Sequence, residues 1–255
     1  MLTSTDRHDL HKIVVLNPKG GCGKTTLATN IAAYYAMRGP APTLVDCDPR
    51  GYSMRWLEKR SSRRPKVVGV PAFEHCTEAQ KILELRAWPR SRQLIVDLPA
   101  GLDESQLFDL IYDANSILIP VLPSEIDIYA ATRFIADLLL VAQVDRRDRK
   151  IGIVANRTRQ RTKSYRMLMR FLTSLQIPII AQLRDSQNYV HAAVEGDGIY
   201  DMPMYKVRQD IEQMDGIIAW LDQWRMRKLD AATSSRFEHL PGAPVLTPAN
   251  HQDRR

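Results

Sequence analysis

The 255-residue sequence predicts an α/β fold, a three-layer, mostly parallel twisted sheet with helices on both faces. Three observations carry that expectation. Short, almost wholly apolar runs recur along the chain, as strands do when both faces of their sheet are covered. Segments of helix composition separate them, and a strand–helix–strand repeat implies parallel pairing. A glycine-rich turn, Asn17-Pro18-Lys19-Gly20-Gly21-Cys22-Gly23-Lys24-Thr25-Thr26, joins the first such run to the first helical segment.

The turn follows a buried strand at 12–16 and precedes a helix at 27–36 that meets no breaker before Gly39-Pro40. Backbone N–H groups of such a turn and the unsatisfied donors of the first helical turn converge on one anion, which makes a phosphate cradle. Lys24 would reach the β- and γ-phosphates of a nucleotide, and the Thr25 hydroxyl would ligate Mg²⁺.

The second strand, 42–46, runs into Asp46-Cys47-Asp48-Pro49-Arg50-Gly51. Ligands of parallel sheets sit beyond the carboxyl ends of strands, so Asp46 and Asp48 arrive on the edge that holds the cradle. Asp48 could also cap the helix expected over 51–59. A basic loop at 60–65, an edge strand at 66–70 and a helix at 77–85 follow. Residues 93–97 are an apolar run ending in Asp97, the Walker B pattern that holds Mg²⁺ through water.

Strands are expected at 116–121, 150–156 and 177–184, and a long helix at about 128–144. Asn156 ends its strand; a neutral amide suits a purine edge, and a turn role is the alternative. Between 157 and 170 stand Arg157, Arg159, Arg161, Lys163, Arg166 and Arg170 with no acidic residue, and a helix begins near Thr162. That cluster can line the nucleotide, face DNA or be solvated. The last helix, about 206–229, carries Ile211, Met214, Ile217, Ile218, Leu221 and Trp224 at helical spacing, a core-facing stripe. Prolines and small polar residues make 230–255 an expected disordered tail, leaving 1–11 as a lead and 12–229 as one domain.

Charged residues at 25% and apolar ones at 44% fit a soluble globular protein, and no apolar stretch approaches the roughly 18 residues of a membrane span. Cys22, Cys47 and Cys76 are odd in number and lack CxxC spacing, so neither a disulfide framework nor a zinc site is expected. The polar first eleven residues lack the apolar core of a signal peptide, and a reducing cytoplasm fits. They also offer no helix-turn-helix unit, so operator-specific DNA binding is not expected. A net charge of +7 favours an anionic partner.

In the cradle, Pro18 stands where the common pattern has glycine, and Lys19 precedes the glycines. This variant resembles the deviant Walker A motif of the ParA/MinD family of P-loop ATPases. The resemblance covers about residues 12–229 and implies a MgATP site made by Gly20, Gly21, Cys22, Gly23, Lys24, Thr25 and Thr26, with Thr25, Asp48 and Asp97 on the metal side. Asp48 is similar to the second aspartate of the family's Asp-x-Asp-Pro motif, which positions the attacking water, while Asp46 supports the loop. Family members often have Gln after that proline. Arg50 is a departure expected to alter the loop or a partner surface without touching the carboxylate. Pro99-Ala100-Gly101 resembles the family's form of Walker B, and Pro123-Ser124-x-x-Asp127 resembles the ParA branch. Asn156 matches the adenine-reading asparagine, with Leu183 and Arg184 as further adenine-site candidates under a base-covering loop, 184–198.

The resemblance further implies that Lys19 reaches the phosphates of a facing subunit, so that ATP joins two chains in a sandwich homodimer. It implies non-specific nucleoid DNA as a partner, with Lys206, Arg208, Arg225, Arg227 and Lys228 as the candidate contacts. A ParB-like or McdB-like activator or adaptor and a cargo such as a plasmid, chromosome, chemotaxis cluster or carboxysome follow from the same resemblance. Two alternatives stay open. A MinD-like membrane-cycling regulator would need a lipid-binding helix, for which the 211–224 stripe is the candidate, and no stable membrane association is expected. A metabolic enzyme of the same fold would need a substrate domain or paired cluster cysteines.

Overall fold

The computed structural model describes residues 10–73, 91–102, 107, 110–111, 113–140 and 150–226. The helix expected over 77–85, the lead before residue 10, the tail after 226 and the contacts assigned to Arg227 and Lys228 lie outside them.

Seven strands form one sheet: β1 (His11–Val15), β2 (Thr43–Asp46), β3 (Val68–Pro71), β4 (Gln93–Asp97), β5 (Ser116–Val121), β6 (Ile151–Thr158) and β7 (Ile179–Arg184). Their order is β3-β2-β4-β1-β5-β6-β7, and every recorded pairing is parallel. The register sets Val15 beside Asp97 and Asp46 beside Asp97, so the cradle and two carboxylates leave the sheet at one edge.

Helices α1 (Lys24–Ala36), α2 (Tyr52–Lys59), α3 (Glu125–Leu140), α4 (Lys163–Ser174), α5 (Asn188–Val194) and α6 (Met204–Asp222) cover the two faces. Strand alternation divides the core accordingly. Ile13, Val15 and Leu118 pack with Leu27, Ile31, Met214 and Ile217 of α1 and α6. Val14, Ile117 and Ile119 pack with Ile135, Leu138, Leu168 and Leu172 of α3 and α4. The stripe Ile211, Met214, Ile217, Ile218 and Leu221 is buried against the sheet, so it is core and not a lipid-binding face. Among the described residues no helix is long and apolar enough to cross a membrane.

Several boundaries differ from expectation: α1 begins at Lys24 rather than 27, β3 spans Val68–Pro71 rather than 66–70, β7 begins at Ile179 rather than 177, and α6 spans Met204–Asp222 rather than about 206–229. α3 starts at Glu125 rather than near 128, because Ser124 and Asp127 exchange hydrogen bonds, the Ser124 hydroxyl accepting from the Asp127 N–H and donating to its carboxylate. α2 is capped by Gly51 in the left-handed region (φ 63°), which leaves Asp48 free of the capping role. β6 extends to Thr158, with an irregularity in its pairing to β7 between Ala155 and Thr158. Asn156 therefore sits two residues inside an irregular strand end rather than at its last position. α4 begins next to Thr162 as expected, and Thr162 caps it, accepting from the Tyr165 N–H at 3.2 Å.

Candidate functional site

The cradle is held by its own backbone and by two asparagines. Asn17 donates from Nδ2 to the Pro120 carbonyl at 2.6 Å and accepts the Lys19 N–H on Oδ1 at 2.8 Å, which ties the turn to β5. Gly23 begins α1 with φ 99°, a conformation open to glycine. A Cβ there would lie 2.3 Å from Asn156 Nδ2, so close approach demands glycine as well. Asn156 in turn donates to the Cys22 carbonyl at 2.8 Å and accepts the Arg157 N–H at 2.9 Å. The Lys24 side chain is buried, its Nζ donating to the carbonyls of Asn17 at 3.0 Å and Lys19 at 3.1 Å. The ammonium is thus folded over the turn whose N–H groups would bind phosphate.

Lys19 points elsewhere. Its side chain is 35% exposed and its Nζ stands 3.9 Å from Asp127 Oδ2 at the start of α3. The two lysines of the motif are separated in direction and in exposure.

The carboxylates behave differently from one another. Asp46 is fully buried and accepts the N–H groups of Asp48 and Met54, at 3.1 and 3.0 Å, which shapes the loop as expected. Asp97 is fully buried, with Oδ2 accepting from the Ser53 hydroxyl at 2.8 Å and Oδ1 lacking a hydrogen-bond partner. Burial pushes its carboxyl up to about 7, opposed by Ser53 and by the nearby Thr25 hydroxyl. An orphaned, fully buried carboxylate oxygen beside a threonine hydroxyl fits Mg²⁺ with its water shell. Thr25 and Asp97 would hold it, and the ion would return Asp97 to its charged form. Among the described residues no group of three His, Cys, Asp or Glu side chains gathers to hold a metal.

Asp48 is not untouched by its neighbour. Its Oδ1 accepts the Arg50 N–H at 3.0 Å and Nε at 2.9 Å, and Oδ2 accepts Nη2 at 2.7 Å. This corrects the expectation that Arg50 leaves the carboxylate alone. Pro49 and Gly51 fold the loop into a turn that brings residue 50 back over residue 48, and a guanidinium matches both carboxylate oxygens at once. Arg50 holds the Asp48 carboxyl below the usual carboxylate range.

Beside the cradle a cavity of about 470 Å³ is lined by Gly21, Asn156, Leu183, Arg184, Lys59 and Tyr189, among others. It thus brings together the three residues proposed for adenine. Arg184 lines it with its side chain turned to Asp210, donating at 2.6 and 2.8 Å, and the Leu183 carbonyl accepts from Thr158. Asp185, which sequence reasoning missed, accepts from Arg157 and Arg159 at 3.2 and 2.7 Å. The first members of the basic cluster therefore brace the cavity wall. Lys206 and Arg208 lie at the start of α6 and Arg225 beyond its end, so the described DNA candidates share no single patch near the cradle.

A parallel sheet with a phosphate cradle after its central strand and carboxylates at the neighbouring strand ends defines a P-loop nucleotide-binding protein. The chain belongs to the CobQ/CobB/MinD/ParA nucleotide-binding domain family, whose model matches residues 13–199. It is 34% identical over 191 residues to maintenance of carboxysome distribution protein A of Halothiobacillus neapolitanus, covering 74% of this chain and 87% of that one. A shorter stretch of 57 residues, 22% of this chain and 23% of that one, is 46% identical to the chromosome-partitioning ATPase Soj of Thermus thermophilus. The fold is similar to that of apo McdA of Cyanothece, with a TM-score of 0.62 at 17% identity over 82% of this chain and 99% of that one. It is similar also to MinD of Aquifex aeolicus, with a TM-score of 0.59 at 21% identity over 92% and 100%.

Proposed function

We propose that this chain is a ParA-type ATPase that forms an ATP-sandwiched homodimer, binds nucleoid DNA without sequence preference and hydrolyses ATP when a ParB-like or McdB-like partner stimulates it. Its place is the cytoplasm, on the nucleoid, and its task is to position a cargo. The 34% identity to a carboxysome distribution protein supports a protein assembly as that cargo.

The observation that carries this reading is the division of labour between Lys19 and Lys24. Lys24 is buried over its own cradle, its ammonium on the Asn17 and Lys19 carbonyls, where it would meet the β- and γ-phosphate oxygens of a bound nucleotide. Lys19 is held outside the cradle at the surface, where a second chain's phosphates can reach it. A cation added from a facing chain stabilises both the dimer and the charge that builds on the transferring group. Mg²⁺ would neutralise the phosphates and leaving-group charge. Asp48 orients the attacking water, which requires its carboxylate to turn from Arg50. Asn156 and the Leu183 wall seat the base and exclude solvent from it.

The test is binding to an unrelated DNA duplex with ATP, ADP or no nucleotide, with chain mass measured in parallel. ATP alone should produce dimers and DNA binding, lost in Lys19→Ala and retained in Asp48→Ala. Monomers in every nucleotide state would overturn the proposal.

A further inference from the structure

The DNA reading above leaves open which face meets the duplex, and the inference here rests on that reading. The charge on α6 is poorly suited to it. Between Met204 and Asp222 the helix carries Lys206 and Arg208 against Asp210, Glu212, Asp215 and Asp222, a net negative element. Arg208 donates to Glu212 at 3.0 Å, Lys206 stands over the Tyr205 ring, and Arg225 beyond the helix stands over Trp224.

α4 is its opposite. It carries Lys163, Arg166 and Arg170 and no acidic residue, and Arg161 immediately precedes its cap. All four side chains are exposed, and none has an ion-pair partner among the described residues. Asp185, at the end of neighbouring β7, is already engaged by Arg157 and Arg159. Positions 163, 166 and 170 fall within about 60° of one another around the helix and span roughly 10 Å along it. Leu168 and Leu172 are buried on the opposite side. The helix macrodipole disfavours cations in a first turn, so Lys163 and Arg166 are placed against local helix preference. An anion brought to this face relieves that conflict.

We propose that the exposed face of α4, with Arg161, Lys163, Arg166 and Arg170, is the surface that contacts the phosphate backbone of duplex DNA. A duplex carries one negative charge per roughly 1.7 Å of axis, so a 10 Å stripe of cations lies against several phosphates at once. Such contacts hold the backbone without reading bases, as non-specific binding requires. The stripe does not suit a membrane helix, which needs an apolar face to insert; the apolar face of α4 is occupied by the protein core.

The test is a salt titration of binding to an unrelated duplex with ATP, comparing wild type with two multiple variants. The α4 variant is Lys163→Gln, Arg166→Gln and Arg170→Gln; the α6 variant is Lys206→Gln and Arg208→Gln. Removing three cations should weaken binding by about 100-fold or more at 0.1 M salt and lower the slope of log affinity against log salt by about 2.7 per chain. The α6 variant should stay within about threefold of wild type. Arg166→Lys with Arg170→Lys should restore binding, because a phosphate contact needs charge and not a fork. Unchanged melting and ATP turnover confirm that the α4 variant is folded. A wild-type slope in the α4 variant, or failure of the lysine rescue, overturns the assignment while leaving the DNA reading in place. No DNA binding by wild type in any nucleotide state overturns both. Loss of the α4 variant from phosphatidylserine vesicles with DNA binding retained reassigns the stripe to lipid and overturns the proposal.

Discussion

On the phosphate side of the site, residues 17 to 26 are contiguous, and their hydrogen bonds run mostly to one another's backbone. On the base side, Asn156, Leu183 and Tyr189 come from three separate elements, held by ion pairs such as Arg184–Asp210 and Arg157–Asp185. The difference lies in what fixes each half. Local backbone conformation fixes the phosphate side, so one atom in the wrong place breaks it. Tertiary contacts fix the base side, so it gives way by degrees.

Gly23→Ala should have the largest effect. It forces a left-handed φ of 99° on alanine and a contact of 2.3 Å on Asn156, and ATP affinity should fall on the order of 100-fold. A fluorescent nucleotide titration measures this; affinity within about threefold of wild type would mean that the cradle is not set by local conformation.

Arg60 ties α2 to the segment after α5, its side chain and that of Asp201 only 3% and 2% exposed. Arg60→Met strands a buried carboxylate at a cost of about 3 kcal/mol. Melting should fall by about 6–12 °C. Differential scanning calorimetry showing an unchanged transition would contradict the idea that ion pairs carry the base side.

Arg50→Gln should act on turnover and not on affinity. The Arg50 side chain is 52% exposed, so its pair with Asp48 is screened by solvent. Freeing the carboxylate should raise basal ATP hydrolysis by up to about fivefold, with Arg50→Lys between the two. A steady-state assay that finds turnover lowered would instead give Arg50 a positive role.

Asp185→Asn should be the mildest. It releases two arginines that are 58% and 77% exposed, and ATP affinity should change by less than about threefold by calorimetric titration. A larger loss would place Asp185 on the nucleotide itself.

The same division explains what could be read from the sequence. The alternation of strands and helices, the cradle, and the strand-end aspartates are short-range patterns, and the sheet follows them. The Ser53–Asp97 hydrogen bond joins residues 44 apart, and no local spacing announces it. The irregular end of β6 depends on its pairing with β7, and it carries the strand two residues past Asn156, beyond what a reading of apolar runs shows. Two features lie in the sequence itself: Ser124-x-x-Asp127 pairs a hydroxyl with an N–H and a carboxylate across the first turn of α3, and Asp48-Pro49-Arg50 brings opposite charges together across a tight turn. In both cases side-chain chemistry two or three residues apart decided what periodicity could not.

The most direct test of the account is MgATP hydrolysis by wild type beside Asp48→Asn, with nucleotide affinity measured on the same preparations. The account predicts slow turnover in wild type, equal ATP affinity in the two proteins, and hydrolysis about 100-fold slower in the variant, because only water orientation is lost. Equal turnover in both would contradict it, and the edge that gathers Lys24, Asp48 and Asp97 would then be a nucleotide-binding site without hydrolysis.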